Sequence, residues 1–299
     1  MKTVPFEQVI LRGCGIDVHK DMVVATISGE GLKTETRSYK TFSSSLTELK
    51  EWLLSSGITH VAMESTGVYW KPVYKILECP DMKVWIVNAR HIKYVPGHKT
   101  DKKDSAWICK LLLAGLLKPS YIPEREQREL RDLTRYRNKL IQHVSSEKNR
   151  IVRILEDCNI KLSSVVCSLD GVVANKLIDM LIDKGHVTMD DITCIYHKKL
   201  EASPELLYQA CEGFIEPHHI YMLQTIRKDM EQTKAIIADL TCRIKEVLSP
   251  YENVMELLQK IPGLSRKTVE DLIAEIGVDM EAFLTEKHQT WTLSRLRVV

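Results

Sequence analysis

The sequence of 299 residues lacks the features that mark membrane, secreted and disulfide-rich proteins. No apolar run approaches the ~20 residues of a membrane span, and residues 1–15 lack the pattern of a signal peptide. The eight cysteines form no C-x-x-C pair, so neither a disulfide framework nor a zinc site is indicated. We therefore expect a cytoplasmic protein that spans no membrane and keeps its thiols reduced.

The chain also has little net charge, only +2, but that charge is unevenly distributed. Residues 88–153 contain 16 Lys and Arg against 7 Asp and Glu, a local excess of nine positive charges. Concentrated positive charge is typical of proteins that bind a polyanion. A solvated basic helix would give the same composition, so both interpretations stay open at this point.

The first part of the chain has the pattern of an α/β domain. Residues 8–42 are rich in β-branched residues and predict three strands, with a glycine-rich turn at Gly29 to Gly31. Helical and strand patterns then alternate up to about residue 122, which is an α/β order. This order matches the ribonuclease-H-like topology, in which parallel strands extend three antiparallel ones.

From about residue 124 the apolar period becomes helical. One stretch has six apolar residues among eight heptad positions, namely Leu130, Leu133, Arg137, Leu140, Val144, Glu147, Ile151 and Ile154. A second stretch, residues 223–247, has seven among eight. These patterns predict a coiled coil or a long helical hairpin, whose helices pair with each other or across a dimer. A plain helical bundle remains the alternative.

Four acidic residues stand where strands or helices would bring them together. Asp17 lies in the middle of the apolar first strand, where an unpaired charge is costly. Glu64 ends a later buried strand that would lie beside the first. Asp101 and Asp104, three residues apart, share one face of a helix that could lie across that end of the sheet.

Such a cluster of carboxylates favours a divalent cation, because like charges repel strongly without one. Oxygen ligands suit Mg²⁺ or Mn²⁺, and two such ions ~4 Å apart catalyse in-line attack at a phosphodiester. The neighbouring Lys99, Lys102 and Lys103 would then contact phosphates. The alternative is that Asp101 or Thr100 only caps a helix.

The segments GIDVHKD, MESTG and KTDKKDS resemble the Asp-Glu-Asp-Asp transposases of the bacterial insertion-sequence family one-ten, also called bridge-RNA-guided recombinases. HHIYML at 218–223 and LLQKIPGLSRKTVEDLIAEIG at 257–277 extend the resemblance. It implies a RuvC-like (RNase H-like) nuclease domain over residues 1–122, in which Asp17, Glu64, Asp101 and Asp104 bind Mg²⁺. It also implies a helical, coiled-coil region over 123–250 that forms a homo-oligomer, a C-terminal transposase domain over 251–299, and DNA and a guide RNA as partners.

The C-terminal sequence departs from this family pattern. The family's catalytic serine follows an apolar helix and a Gly-x-x-Pro segment, whereas this chain reads QTWTLSRLRVV and stops. Ser294 lies in a different context, so the role is not assigned to it and we expect a truncated, incomplete transposase. Gly263 resembles the turn of a helix-hairpin-helix that binds a DNA phosphate, although an ordinary helix–helix turn is equally compatible.

Two other functions remain open from the sequence. A RuvC-like structure-selective nuclease would cut DNA with the acids alone and would need no serine. A non-catalytic remnant would bind nucleic acid without cutting it.

Overall fold

The computed structural model describes residues 9–65, 67–88, 104–197 and 200–278 of the chain. By its internal contacts the chain divides into two compact units, Met1–Ile122 and Pro123–Val299. Asp101, Lys99, Lys102 and Lys103 lie outside the described residues, and so does the C-terminal stretch on which the expected truncation depends.

The first unit is built on a five-stranded mixed sheet. Its strands are β1 (Arg12–Val18), β2 (Met22–Gly29), β3 (Leu32–Lys40), β4 (His60–Glu64) and β5 (Lys83–Val87). The spatial order is β3-β2-β1-β4-β5, with β1, β2 and β3 antiparallel and with β4 and β5 parallel to β1. The predicted α/β order, three antiparallel strands extended by parallel ones, is therefore present.

Helices cover both faces of this sheet. On one face lie α1 (Ser43–Ser55) and α2 (Trp70–Leu77). Leu49 of α1 and Val73 of α2 join Ile16 of β1 in a buried apolar cluster. On the other face lies α3 (Asp104–Leu113), whose Ile108 and Leu112 pack against Ala62 of β4. Because parallel strands need cover on both faces, β1 and β4 are apolar along most of their length.

The second unit is helical. Its elements are α4 (Arg125–Asp157), α5 (Leu162–Val165), α6 (Val172–Lys184), α7 (Met189–Ile195), α8 (Pro204–Cys211), α9 (Pro217–Leu248), a 3₁₀ turn (Ser249–Tyr251), α10 (Glu252–Gln259) and α11 (Arg266–Ile276). In the parts of the chain that the structure describes, no helix is both long and apolar enough to cross a membrane.

The two long helices α4 and α9 pair with each other in antiparallel orientation. Leu130 near the start of α4 packs with Ile244 near the end of α9, whereas Ile151 of α4 packs with Ile226 of α9. Helices α5 to α8 complete the apolar core at one end of this pair, and α10 and α11 complete it at the other. The two heptad stretches therefore pair with each other within one chain, although four shorter helices separate them along the sequence.

Candidate functional site

Asp17 lies on the central strand of the sheet at the end where β1 finishes. Its side chain is 20% exposed, and its backbone pairs with that of Val24 on β2. Nε2 of His19 lies 2.9 Å from Oδ2 of Asp17. The costly charge in the strand therefore has a partner, and that partner is an exposed histidine two residues further on.

Glu64 ends the neighbouring parallel strand at the same level. Ile16 of β1 and Met63 of β4 are the last residues that pair. Asp17 follows Ile16 and Glu64 follows Met63, so the two acids stand at the same level. Paired residues of neighbouring strands point to the same face of a sheet. The register therefore places both carboxylates on one face, at one end.

The direction of α3 brings its first residue to this end. A Cβ added to Gly15 would lie 2.2 Å from the carbonyl oxygen of Ser105, and one added to Gly13 would lie 3.1 Å from a methyl group of Leu112. The start of α3 is thus above the later part of β1. Asp104, the first residue of α3, stands at the end of the face that also carries Asp17 and Glu64.

Sequence reasoning missed the residues that dock α3 on the sheet. Gly15 permits the helix backbone to approach the strand, since any side chain there would overlap Ser105 and Cys109. The hydroxyl of Ser105 lies 2.8 Å from that of Thr26, which lies 2.9 Å from that of Thr36. The available signal was the G-C-G-I-D pattern, because glycines two and four residues before an acid lie on the same face of a strand.

Two buried thiols flank strand β1, Cys109 of α3 on the face of the carboxylates and Cys14 on the opposite face. Burial raises the pKa of the Cys109 thiol to about 11. Burial also raises the pKa of Cys14 well above its ordinary value, and the nearby Cys109 adds to that shift. Since the thiolate is the form that binds metals and attacks substrates, neither cysteine competes with the carboxylates for that role.

The carboxylates fit a divalent cation by chemistry but are not gathered into a coordination cluster. Within residues 9–65, 67–88, 104–197 and 200–278, no three His, Cys, Asp or Glu side chains are placed so that they could hold a metal ion. Asp17, Glu64 and Asp104 share a face and an end of the sheet, whereas the fourth predicted acid, Asp101, lies outside these ranges. The set offers oxygen donors only, as Mg²⁺ prefers.

Gly263 lies in an open turn between α10 and α11. Its φ is +88°, a value that favours glycine, and an added Cβ would meet nothing within 4 Å. Ser265, which stands where the family pattern has a second glycine, is the N-cap of α11, and its hydroxyl accepts a hydrogen bond of 3.2 Å from the backbone N–H of Thr268. The turn is thus an exposed backbone segment at a capped helix N-terminus.

Much of the positive charge of α4 is used inside the second unit. Three arginines donate to oxygens of α11, with Arg131 on the carbonyl of Ala274, Arg135 on the carboxylate of Glu275, and Arg137 on Glu270 and Asp271. Part of the basic excess of residues 88–153 is therefore used in contacts within the second unit. Neither of the two open interpretations of that excess included this structural use.

Carboxylates at the ends of adjacent strands, on a sheet partly covered by helices, are typical of enzymes that act on phosphodiesters with divalent metals. The family model of the IS110-type DEDD transposases, described as a transposase, matches residues 14–160. Residues 14–160 therefore belong to this family of transposases. No curated protein sequence matches the chain significantly.

Proposed function

We propose that the chain is a DNA transposase and site-specific recombinase whose catalytic carboxylates are Asp17, Glu64, Asp101 and Asp104. The observation that carries the proposal is the common end shared by the three described acids. The register of β1 against β4 supports a position of Asp17 beside Glu64. The contact of the start of α3 with Gly15 supports a position of Asp104 at the same end of the sheet. The family match over residues 14–160 spans all four positions.

The proposal includes an RNase H-like, RuvC-like fold for residues 1–122. The strand order β3-β2-β1-β4-β5, with its antiparallel and parallel parts, supports it. For residues 123–250 we propose a coiled-coil role in oligomerisation, and for 251–299 a C-terminal transposase domain. A guide RNA and a cytoplasmic location belong to the same proposal.

The four carboxylates would hold Mg²⁺ or Mn²⁺. When bound, such ions activate the attacking oxygen and stabilise the leaving oxygen of a phosphodiester. The chain's own residues prepare this end of the sheet for the substrate. His19 neutralises and orients Asp17 when protonated, and the docking of α3 on Gly15 keeps Asp104 at the same end.

We propose phosphate contacts in each of the two units, taken separately. Lys99, Lys102 and Lys103 precede α3 in the sequence and would attract the DNA backbone. Gly263 would offer its exposed backbone N–H to a second phosphate, beside the positive end of α11.

A structure-selective nuclease is the second candidate. It is favoured by one observation, namely that all three described acids belong to the first unit. Cleavage that needs only these acids would require neither the helical unit nor a serine.

The test is Mg²⁺-dependent cleavage of branched and linear DNA by the purified chain, with and without the cognate RNA. We expect Asp17→Asn, Glu64→Gln and Asp104→Asn each to reduce cleavage by about 100-fold or more, because each removes a charge worth several kcal/mol at the reacting phosphate. Asp21→Asn is the matched control, since Asp21 is an exposed acid in the adjoining β1–β2 turn.

Equal rates for Asp21→Asn and the three site variants would refute the assignment of these carboxylates. Salt-sensitive binding of DNA or RNA without any cleavage would identify a non-catalytic nucleic-acid-binding protein instead. Cleavage of branched DNA that is unaffected by RNA, with no joining of ends, would favour the structure-selective nuclease.

A further inference from the structure

Among the residues that the structure describes, no helix covers the polar face of the edge strand β3 beside the carboxylates. Along β3 every residue except Leu32 and Tyr39 is exposed. Because successive side chains of a strand alternate between the faces, Thr34, Thr36, Ser38 and Lys40 share one face. We call these four residues the hydroxyl row.

The hydroxyl row lies on the same face of the sheet as Asp17. Thr36 pairs with Thr26 across β2, and Thr26 pairs with Gly15 of β1, which contacts α3. Residues paired across antiparallel strands point to the same face. Since Asp17 follows Gly15 by two residues, it shares that face as well.

Helix α3 covers β1 and reaches β2 but leaves β3 open. The edge of this cover is the chain of hydroxyls Ser105, Thr26 and Thr36, in which Thr26 is buried and Thr36 is exposed. On the opposite face, by contrast, β3 is used for packing, because the guanidinium of Arg37 lies 4.5 Å from the ring centre of Trp52.

The hydroxyl row leads toward the carboxylates. Strand β3 runs in the same direction as β1. Lys40 pairs with Met22 of β2, and Asp17 pairs with Val24, two residues further along the same strand. The basic end of the row is therefore the end near Asp17. Alternate residues of a strand are ~6.6 Å apart, which is comparable with the step between phosphates of an extended nucleic-acid strand.

The charges on β3 also favour an anionic ligand on this face. Its single acid, Glu35, points to the other face and is neutralised by Arg37, with Nε and Oε1 2.7 Å apart. What remains on the row is three hydroxyl groups and one ammonium group. Hydroxyl groups donate to phosphate oxygens without carrying sequence information, and they fix the register of the bound backbone.

We propose that the hydroxyl row binds the phosphodiester backbone of a nucleic-acid strand and guides it to the carboxylate end of the sheet. This inference rests on the proposed function of that end and adds the surface by which the strand arrives. The ligand chemistry is the phosphodiester backbone, which both DNA and RNA supply. Thr34, Thr36 and Ser38 act as positioning residues, and Lys40 supplies the positive charge at the end of the row near Asp17.

The experiment changes the charge of the row at Ser38, an exposed residue. Ser38→Glu and Ser38→Lys are compared with Thr47→Glu and Thr47→Lys, which make the same changes in charge on α1, on the opposite face of the sheet. The readouts are the affinity of the full chain for single-stranded DNA and RNA of one sequence, measured by fluorescence anisotropy at several salt concentrations, and Mg²⁺-dependent cleavage.

We expect Ser38→Glu to weaken binding by about fivefold or more, because it places a negative charge against a phosphate. Ser38→Lys should tighten binding and steepen the dependence of log K on log salt by about 0.7, the value for one added phosphate contact on a single strand. Both Thr47 variants should change affinity less than about twofold. A stronger effect with DNA or with RNA identifies which strand follows the row.

The outcomes separate this inference from the proposed function. One outcome is cleavage that depends on Asp17 together with binding that responds equally to the Ser38 and Thr47 changes. This outcome would overturn the proposed role of the hydroxyl row and leave the proposed function intact. A Ser38-specific response in a chain that does not cleave would support the row as a binding surface and contradict the catalytic proposal. A chain that binds neither oligonucleotide overturns the row, provided that circular dichroism shows it to be folded.

Discussion

The two units of the molecule bury their polar groups in different places. In the first unit the centre of the sheet is apolar, and the acids stand at the end of the strands, where Asp17 stays partly exposed. In the second unit charged groups are buried inside the helical packing, since the side chains of Arg137 and Glu270 are 3% and 2% exposed. The same residue types therefore serve different purposes in the two units.

What separates these purposes is the partner of each charge. Nη1 of Arg137 lies 2.5 Å from Glu270 and its Nη2 lies 3.1 Å from Asp271, so the charge is neutralised within the unit. Within the part of the chain that the structure describes, the ion-pair partner of Asp17 is His19, which is itself largely exposed. A charge with rigid buried partners supports the fold, whereas a half-buried charge with an exposed partner is available for a ligand.

The largest expected effect is at the buried ion pair of the second unit. Arg137→Met should destabilise that unit by about 3–5 kcal/mol, because it leaves Glu270 buried without its principal partner. Arg153→Met, at an exposed arginine on the same helix, should cost less than about 1 kcal/mol. Urea unfolding followed by far-ultraviolet circular dichroism would measure both losses, and equal losses would contradict the structural role assigned to the buried pair.

The next effect is expected at the contact between α3 and the sheet. Gly15→Ala should cost about 3 kcal/mol, since its Cβ would overlap helix backbone atoms at 2.2 Å that cannot move independently. Gly13→Ala is the control, because its Cβ would approach closely only the rotatable ends of Leu112 and Leu113 and would lie at an ordinary contact distance, 3.6 Å, from the carbonyl oxygen of His60. Four of the five tryptophans lie in the first unit, so tryptophan fluorescence during urea unfolding reports this difference. Similar losses for the two variants would refute the close approach at Gly15.

A smaller effect should follow loss of the buried hydroxyl in the first unit. Thr26→Val should cost about 1–2 kcal/mol, because the hydroxyl of Ser105 loses its partner at 2.8 Å. The double variant Thr26→Val with Ser105→Ala should lose less than Thr26→Val alone, since no buried polar group remains unpaired. Additive losses, measured by the same fluorescence assay, would show that this bond contributes little.

At neutral pH the smallest effect is expected at two buried thiols, one in each unit, because their effect appears only as the pH rises. Burial raises the pKa of Cys109 and of Cys211 to about 11, above the value in the unfolded chain. Since the unfolded state loses these protons first, the stability contribution is complete below about pH 8 and is lost as the pH rises toward 11, by about 2–3 kcal/mol for each thiol. Unfolding measured between pH 8 and 10.5 should become less pH-dependent in Cys109→Ala and Cys211→Ala.

The exposed Cys194 provides the control for this pH dependence. Cys194→Ala should leave the pH profile unchanged. A profile that flattens equally in all three variants would remove burial as the cause of the effect.

The secondary structure followed closely from the sequence. Alternating β-branched residues predicted β1, β2 and β3, and the heptad positions predicted the two helices that pair as α4 and α9. These patterns are local, because strand and helix periods repeat over a few residues. The polar residues at heptad positions were less predictable, and the structure accounts for Arg137 by its partners on α11, more than a hundred residues away.

The candidate site was predictable in its residue types and in part in its placement. The strand pattern indicated that Asp17 and Glu64 would meet at one end of a sheet. The hydroxyls of Thr26 and Ser105, and the role of Gly15, gave no signal strong enough to be read, because their contacts join residues far apart in the chain.

The sequence by itself determined the order of strands and helices and the identity of the acids, because those depend on local periodicity and residue chemistry. Only the tertiary structure decided which residues share a face and an end of the sheet. The register of β1 against β4 and the approach of α3 to Gly15 set that arrangement, and the contacts with α11 decided how much of the charge of α4 remains free for other partners. These contacts are long-range, so they arise from packing and not from any segment alone.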